Sequence, residues 1–126
     1  MELVIFGETP SKKNSKVWTR GGKLIPSKQF RAWHDSAIFQ VTQQIIRDKL
    51  EQDIGYPCIV TLKFYHGDRR RRDSDNGTSS VLDLLQDCKI LHDDCWEIVR
   101  VLNVFNFYDK GNARCEIDIK KIEGTI

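Results

Sequence analysis

The sequence has no apolar run long enough to cross a bilayer, and no basic segment precedes the short apolar stretch of its start, MELVIFGETPSKKN. That pattern is expected of a cytoplasmic protein without a membrane partner, not of a secreted or membrane-spanning one. Cys58, Cys88, Cys95 and Cys115 form no CxxC pair, so free thiols in a reducing compartment are expected. Internal repeats and linker-like stretches are also missing, and 126 residues suit a single domain spanning 1–126. A chain of this length buries a core without a disulfide or metal staple. With 40% hydrophobic and 30% charged residues, general disorder is excluded.

Acidic residues are absent from Ser11 to Arg31, which carries seven basic ones: Lys12, Lys13, Lys16, Arg20, Lys23, Lys28 and Arg31. Arg69, Arg70, Arg71 and Arg72 add a second basic run, although the formal net charge is only +2. Such segregation suggests an anionic partner for the basic segments. Two solvated surface loops are the competing explanation, because basic runs are common on protein surfaces.

Apolar periodicity supplies the elements. Glu2–Phe6 reads as a buried strand. Val17–Ile25, with Gly21-Gly22 inside it, reads as a hairpin. Ser27 is a candidate N-cap for a helix from Lys28 to about Gln52. Phe30, Trp33, Ala37, Val41 and Ile45 share one face of that helix, and both Trp33 and Phe39 are expected in the core. Cys58–Tyr65 alternates as a strand with Val60, Leu62 and Phe64 on one side. Ser74–Cys88 reads as a second helix with Val81, Leu84, Leu85 and Cys88 on its stripe, its first turn weakened by Gly77. Trp96–Phe107 and Ala113–Lys120, joined by a turn at Asp109–Asn112, look like an antiparallel hairpin. The expected architecture is α+β: one mixed or mostly antiparallel sheet with two helices on one face.

Asp73 and Asp75 stand two apart between the arginine run and the second helix. In extended backbone, residues i and i+2 point the same way, so two carboxylates there can share a hard cation. Mg²⁺ takes oxygen ligands and keeps several waters, so two or three carboxylates suffice. Asp93 and Asp94, beyond the helix, offer a third ligand. Such a centre would support metal-assisted phosphodiester hydrolysis. A structural explanation stands beside it: Asp75 as helix N-cap, Asp73 answering Arg72 across the surface, and Asp93 and Asp94 as ordinary loop residues.

The stretch RRRRDSDNGTSSVLDLLQDCKILHDDCWEIV resembles the RusA family of Holliday-junction resolvases. The resemblance rests on Arg71, Arg72, Asp73, Asp75 and Asn76, then Leu82, Asp83 and Leu85, then Asp93 and Asp94. An opening strand, SKKNS, and IPSKQFRAW leading into the long helix extend it over nearly the whole chain. It implies a RusA-like fold and a small homodimer that binds four-way DNA junctions and makes paired symmetric nicks with Mg²⁺, Mn²⁺ being a possible substitute. The resemblance assigns the essential carboxylates to Asp73, Asp75 and Asp94, with Asp93 beside them at the metal. Lys12, Lys13, Asn14, Lys16, Lys28 and Arg69, Arg70, Arg71 and Arg72 would meet the DNA, mostly at backbone phosphates. One position departs: where better-known members carry a lysine, four residues after the second aspartate, this chain has Ser79. Either another cation (Lys12, Lys13, Lys16 or Lys89) takes its place, or the protein is a catalytically weak or inactive junction-binding module.

Remaining polar clusters are less specific. Cys88, His92 and Cys95 are close enough for zinc but lack a fourth ligand. His34 and His66 have no triad-like context; His66 or His92 could shuttle a proton, or sit as a solvated loop histidine. If the basic runs meet phosphates, junction affinity should fall by roughly 10³-fold or more between about 50 and 200 mM salt. Fluorescence anisotropy across that range measures the slope.

Overall fold

The structure is a computed structural model that describes residues 1–12 and 16–124. Its elements in chain order are β1 (Glu2–Phe6), β2 (Lys16–Trp18), β3 (Leu24–Pro26), α1 (Lys28–Asp48), β4 (Cys58–His66), α2 (Thr78–Asp87), β5 (Val99–Tyr108) and β6 (Arg114–Lys121). β1, β6, β4 and β5 lie side by side in that order as a mixed sheet, and β2 and β3 form a separate antiparallel hairpin. The α+β expectation is met.

Alternation decides which face of the sheet is buried. Leu3 and Ile5 of β1, Cys58, Val60, Leu62 and Phe64 of β4, and Cys115, Ile117 and Ile119 of β6 all join one core. Phe30, Trp33, Ala37 and Val41 of α1 and Val81, Leu84 and Leu85 of α2 close it from the same side. Each fully buried Leu or Ile contributes about 1.5–3 kcal/mol. On the opposite face Phe105 and Phe107 remain exposed.

Helix α1 starts where expected: Ser27 Oγ accepts the Phe30 N–H at 3.1 Å. It ends four residues earlier than the pattern suggested, because Lys49 adopts the left-handed conformation (φ 51°) and bonds back to the Ile45 carbonyl. Phe39 is 67% exposed and lies outside the core, unlike Trp33. It is two residues from Ala37 and from Val41, which puts it on the opposite side of the helix. Two glutamines on α1 protect the outer edge of β1. Gln44 bonds both the N–H and C=O of Val4, at 2.9 and 2.7 Å. Gln40 does the same for Phe6, at 2.7 and 3.2 Å.

The expected terminal hairpin is not formed. β4 lies between the last two strands, pairing parallel with β5 and antiparallel with β6. The β4–α2–β5 segment is a crossover unit, which makes its two strands parallel. The 109–113 turn then steps over the end of β4, with the Asp109 N–H on the His66 carbonyl at 2.9 Å and the Gly111 N–H on that of Gly67 at 3.0 Å. A short polar turn reads the same in sequence whether it joins adjacent or next-but-one strands.

Helix α2 begins at Thr78 and not at Ser74, because residues 74–77 form turns ahead of it. Gly77 is thus not a weak interior residue but the buried N-cap position. A Cβ there would sit 2.8 Å from Thr9 Cγ2 and 2.9 Å from Phe64 Cε1. Gly→Ala usually stabilises a protein through the unfolded state. Here Gly77→Ala is expected to destabilise by about 2 kcal/mol through overpacking, read as a lower urea midpoint at unchanged slope.

Candidate acidic site and basic cleft

The chain leaves β4 at His66 and returns through residues 67–77 to α2. Along this connection the arginines separate by role. Arg72 points inward: its side chain is 11% exposed and pairs with Glu8 at 3.2 Å and Asp68 at 2.9 Å. Arg72, expected among the phosphate contacts, is thus ion-paired within the chain while it also lines the cleft there. The Arg69 guanidinium lies over the Tyr108 ring at 4.1 Å, and Arg70 and Arg71 are exposed. An open cleft of about 490 Å³ lies here, lined by Arg69, Arg70, Asp73, Ser74, Asn106 and Tyr108 among others.

Asp73 and Asp75 are both exposed. Their backbone carbonyls accept the N–H groups of Asn76 and Thr78, each at 3.1 Å, which winds the chain into α2. Helix α2 has no side-chain cap bond, so Asp75 does not serve as N-cap. Arg72 pairs with Glu8 and Asp68, not with Asp73. Both structural alternatives for this acidic pair are thus absent from the geometry.

The second acidic pair packs beside α2. Gln86 donates to Asp93 Oδ1 at 3.4 Å, and so does the Asp94 N–H at 2.7 Å. The Asp94 amide, chiefly, holds the Asp93 carboxyl below its ordinary range. Asp94 is shifted the other way: burial, then the charges of Asp83 and Asp93, push its carboxyl up. Asp83 entered the sequence reading only as part of the Leu82–Leu85 segment of the resemblance, yet its charge acts on Asp94.

Lys12 ion-pairs with Asp83. Its N–H donates to Ser80 Oγ at 2.9 Å, and the Ser80 hydroxyl donates to the Pro10 carbonyl at 2.7 Å, strapping this loop to α2. Lys16 and Lys28 are exposed, as is Ser79. Lys13 and Asn14 lie outside the described residues.

Among the described residues, no three His, Cys, Asp or Glu side chains are grouped closely enough to hold a metal ion. Asp73 and Asp75 therefore do not form a ready-made cluster with Asp94. The donor chemistry nonetheless fits a hard divalent cation: two exposed carboxylates on one loop, and a third whose ionised form is disfavoured by burial and by neighbouring acids. Zinc at Cys88, His92 and Cys95 finds no support. Cys88 is buried, its thiol pushed up to about 11 by burial and Asp87, and His92 instead contacts Asp53 at 2.8 Å. Cys115, pushed up to about 12 by burial and Glu116, is a core thiol.

Two side chains near the loop, Glu8 and Asn106, escaped the sequence reading, and a third, His66, was read only as a proton shuttle or a loop residue. His66 is no solvated loop histidine. Its ring nitrogens contact Glu8 and Asn106, each at 2.8 Å. These contacts span 58 and 40 residues of chain, so no local pattern announces them.

Comparison with known proteins bears on the same segments. The family model described as endodeoxyribonuclease RusA matches residues 7–120. A protein of Aquifex aeolicus (strain VF5), named crossover junction endodeoxyribonuclease RusA, is 25% identical over 123 residues, which cover 98% of this chain and 93% of that protein. No helix among the described residues is long and apolar enough to cross a membrane.

The raised Asp94 carboxyl has a consequence for stability. The folded chain binds this proton more tightly than the unfolded one, so its destabilising contribution is absent below the ordinary value of 3.8. It grows as pH rises toward the folded value and is complete above it. Asp94→Asn should therefore melt at a higher temperature than the wild type at pH 7 in chelator. The gap should close below about pH 3.8, as scanning calorimetry across pH would show.

Proposed function

The chain belongs to the RusA endodeoxyribonuclease family, and on that premise we propose that it is a Mg²⁺-dependent endonuclease that resolves four-way DNA junctions by paired symmetric nicks, in recombination and repair. The observation that carries this reading is the pair Asp73 and Asp75, exposed beside an arginine-lined cleft inside the matched segment. Asp73, Asp75 and Asp94, with Asp93 alongside, would hold the cation, and Mn²⁺ would substitute. When bound, the ion supplies an activated water and charge stabilisation at the scissile phosphate.

The chain's own residues do the rest. Arg70, Arg71, Lys16 and Lys28 are exposed cations suited to neighbouring phosphates. They also offset the repulsion between the carboxylates and a polyanion. We place the protein in the cytoplasm as a homodimer, because a two-fold dimer presents one site to each of two symmetry-related strands.

Nicking of a synthetic four-way junction in Mg²⁺ tests this reading. Asp75→Asn should lower the rate by about a hundredfold or more, since a metal's contribution amounts to several kcal/mol at 1.36 kcal/mol per decade. Its junction affinity should hold. Equal rates for the two proteins would reject the reading.

A second reading, a weak or inactive junction-binding module, is favoured by Ser79, an uncharged and exposed residue on the first turn of α2. It predicts tight binding without cleavage in either Mg²⁺ or Mn²⁺, and a gain of cleavage in Ser79→Lys. Lys12, paired with Asp83 one helical turn from Ser79, favours the active form.

A further inference from the structure

His66, the last residue of β4, stacks on Phe64 with ring centroids 6.4 Å apart and planes 11° from parallel. Its Nδ1 lies 2.8 Å from Glu8 Oε2, and its Nε2 lies 2.8 Å from Asn106 Oδ1. Asn106, on β5, donates its Nδ2–H to the Ser74 carbonyl at 2.8 Å. Ser74 is the residue between Asp73 and Asp75. The other oxygen of Glu8 pairs with Arg72, the residue before Asp73, at 3.2 Å. Residues 72 and 74 are thus both tied to Glu8, one directly and one through Asn106 and His66.

The chemistry of each link is specific. Asn106 accepts from His66 with one end of its amide and donates to Ser74 with the other. Aspartate has the same shape but, ionised, cannot make the second bond. Asp73 and Asp75 flank Ser74 in the turn that the Asn76 N–H closes onto the Asp73 carbonyl, so the orientation of the peptide units between them sets how the two carboxylates lie relative to each other. A bond to the Ser74 carbonyl acts on one of those units.

We propose that Asn106 and His66 are positioning residues of the acidic site: with Glu8 they form a hydrogen-bonded relay that fixes the peptide between Asp73 and Asp75, and so the direction of both carboxylates. The relay's effect on a cation rests on the reading that these aspartates hold one, whereas its effect on loop order does not. Supports of this kind are worth 10–100-fold in metal affinity.

The test uses the full chain with Asn106→Ala and Asn106→Asp. Asn103→Ala is the control, because Asn103 occupies the same strand and its side chain bonds to the neighbouring strand, to Thr61 Oγ1 at 3.3 Å. Without metal, amide hydrogen exchange is followed at Asn76 and Thr78, whose N–H groups bond to Asp73 and Asp75. Both Asn106 variants should exchange there roughly tenfold faster or more, while global unfolding stays near the wild type. Glu8→Ala, which releases both arms, should do the same and stands in should an Asn106 variant misfold. Mn²⁺ titration followed by electron paramagnetic resonance should show affinity falling roughly 10–100-fold in the Asn106 variants and not in Asn103→Ala. In the junction assay kcat should fall at unchanged KM. Unchanged exchange at both amides in Asn106→Ala, Asn106→Asp and Glu8→Ala would overturn the relay. Faster exchange in a protein whose wild type binds no Mn²⁺ would uphold the relay and reject the metal reading.

Discussion

The contact between Gly77 and the pair Thr9 and Phe64 is the constraint on which the acidic site depends. Helix α2 enters the core at this point, and there is no room for even a methyl group. Because Gly77 is held there, the preceding turns must stand out from the end of β4, and Asp73 and Asp75 are carried to the surface with them. The same contact brings the segment after β1 under the loop, where Glu8 meets His66 and Arg72. Close packing here, together with the Ser80 bonds to Pro10 and Lys12, brings the polar groups within reach of one another.

Charge is then sorted by depth. Of the four consecutive arginines, Arg72 balances Glu8 and Asp68, whereas Arg70 and Arg71 face solvent. Lys12 balances Asp83, which limits the acidity building up around Asp94 but does not remove it. A surface carrying both a basic rim and carboxylates in surplus suits a polyanion approached through a cation. The net charge of +2 conceals this arrangement entirely.

The two edges of the sheet are treated differently. Gln40 and Gln44 occupy the backbone groups of Val4 and Phe6 along β1, which blocks edge-to-edge pairing there. At the other edge β5 spends one of its side chains, Asn106, on the acidic loop. Both edges are thus served by side-chain amides that bond backbone groups of another segment, once for protection and once for support.

Much of the fold was legible in the sequence because it follows from local pattern: the apolar run of β1, the alternation of β4 and β6, the Ser27 cap, and the stripes of both helices. The acidic pairs and the arginine run were equally plain, since they are matters of spacing. Strand order was not legible, because the 109–113 turn carries no mark of the strand it steps over. Nor were the end of α1, set by one left-handed residue, the place of Gly77, or the inward turn of Arg72. The relay of Glu8, His66 and Asn106 joins three distant segments, and only the tertiary structure brings them together. Sequence alone determined which chemistry is present, because side-chain identity and near spacing are local properties. Tertiary structure decided which charges are left free and what holds them, because both depend on contacts between residues far apart in the chain.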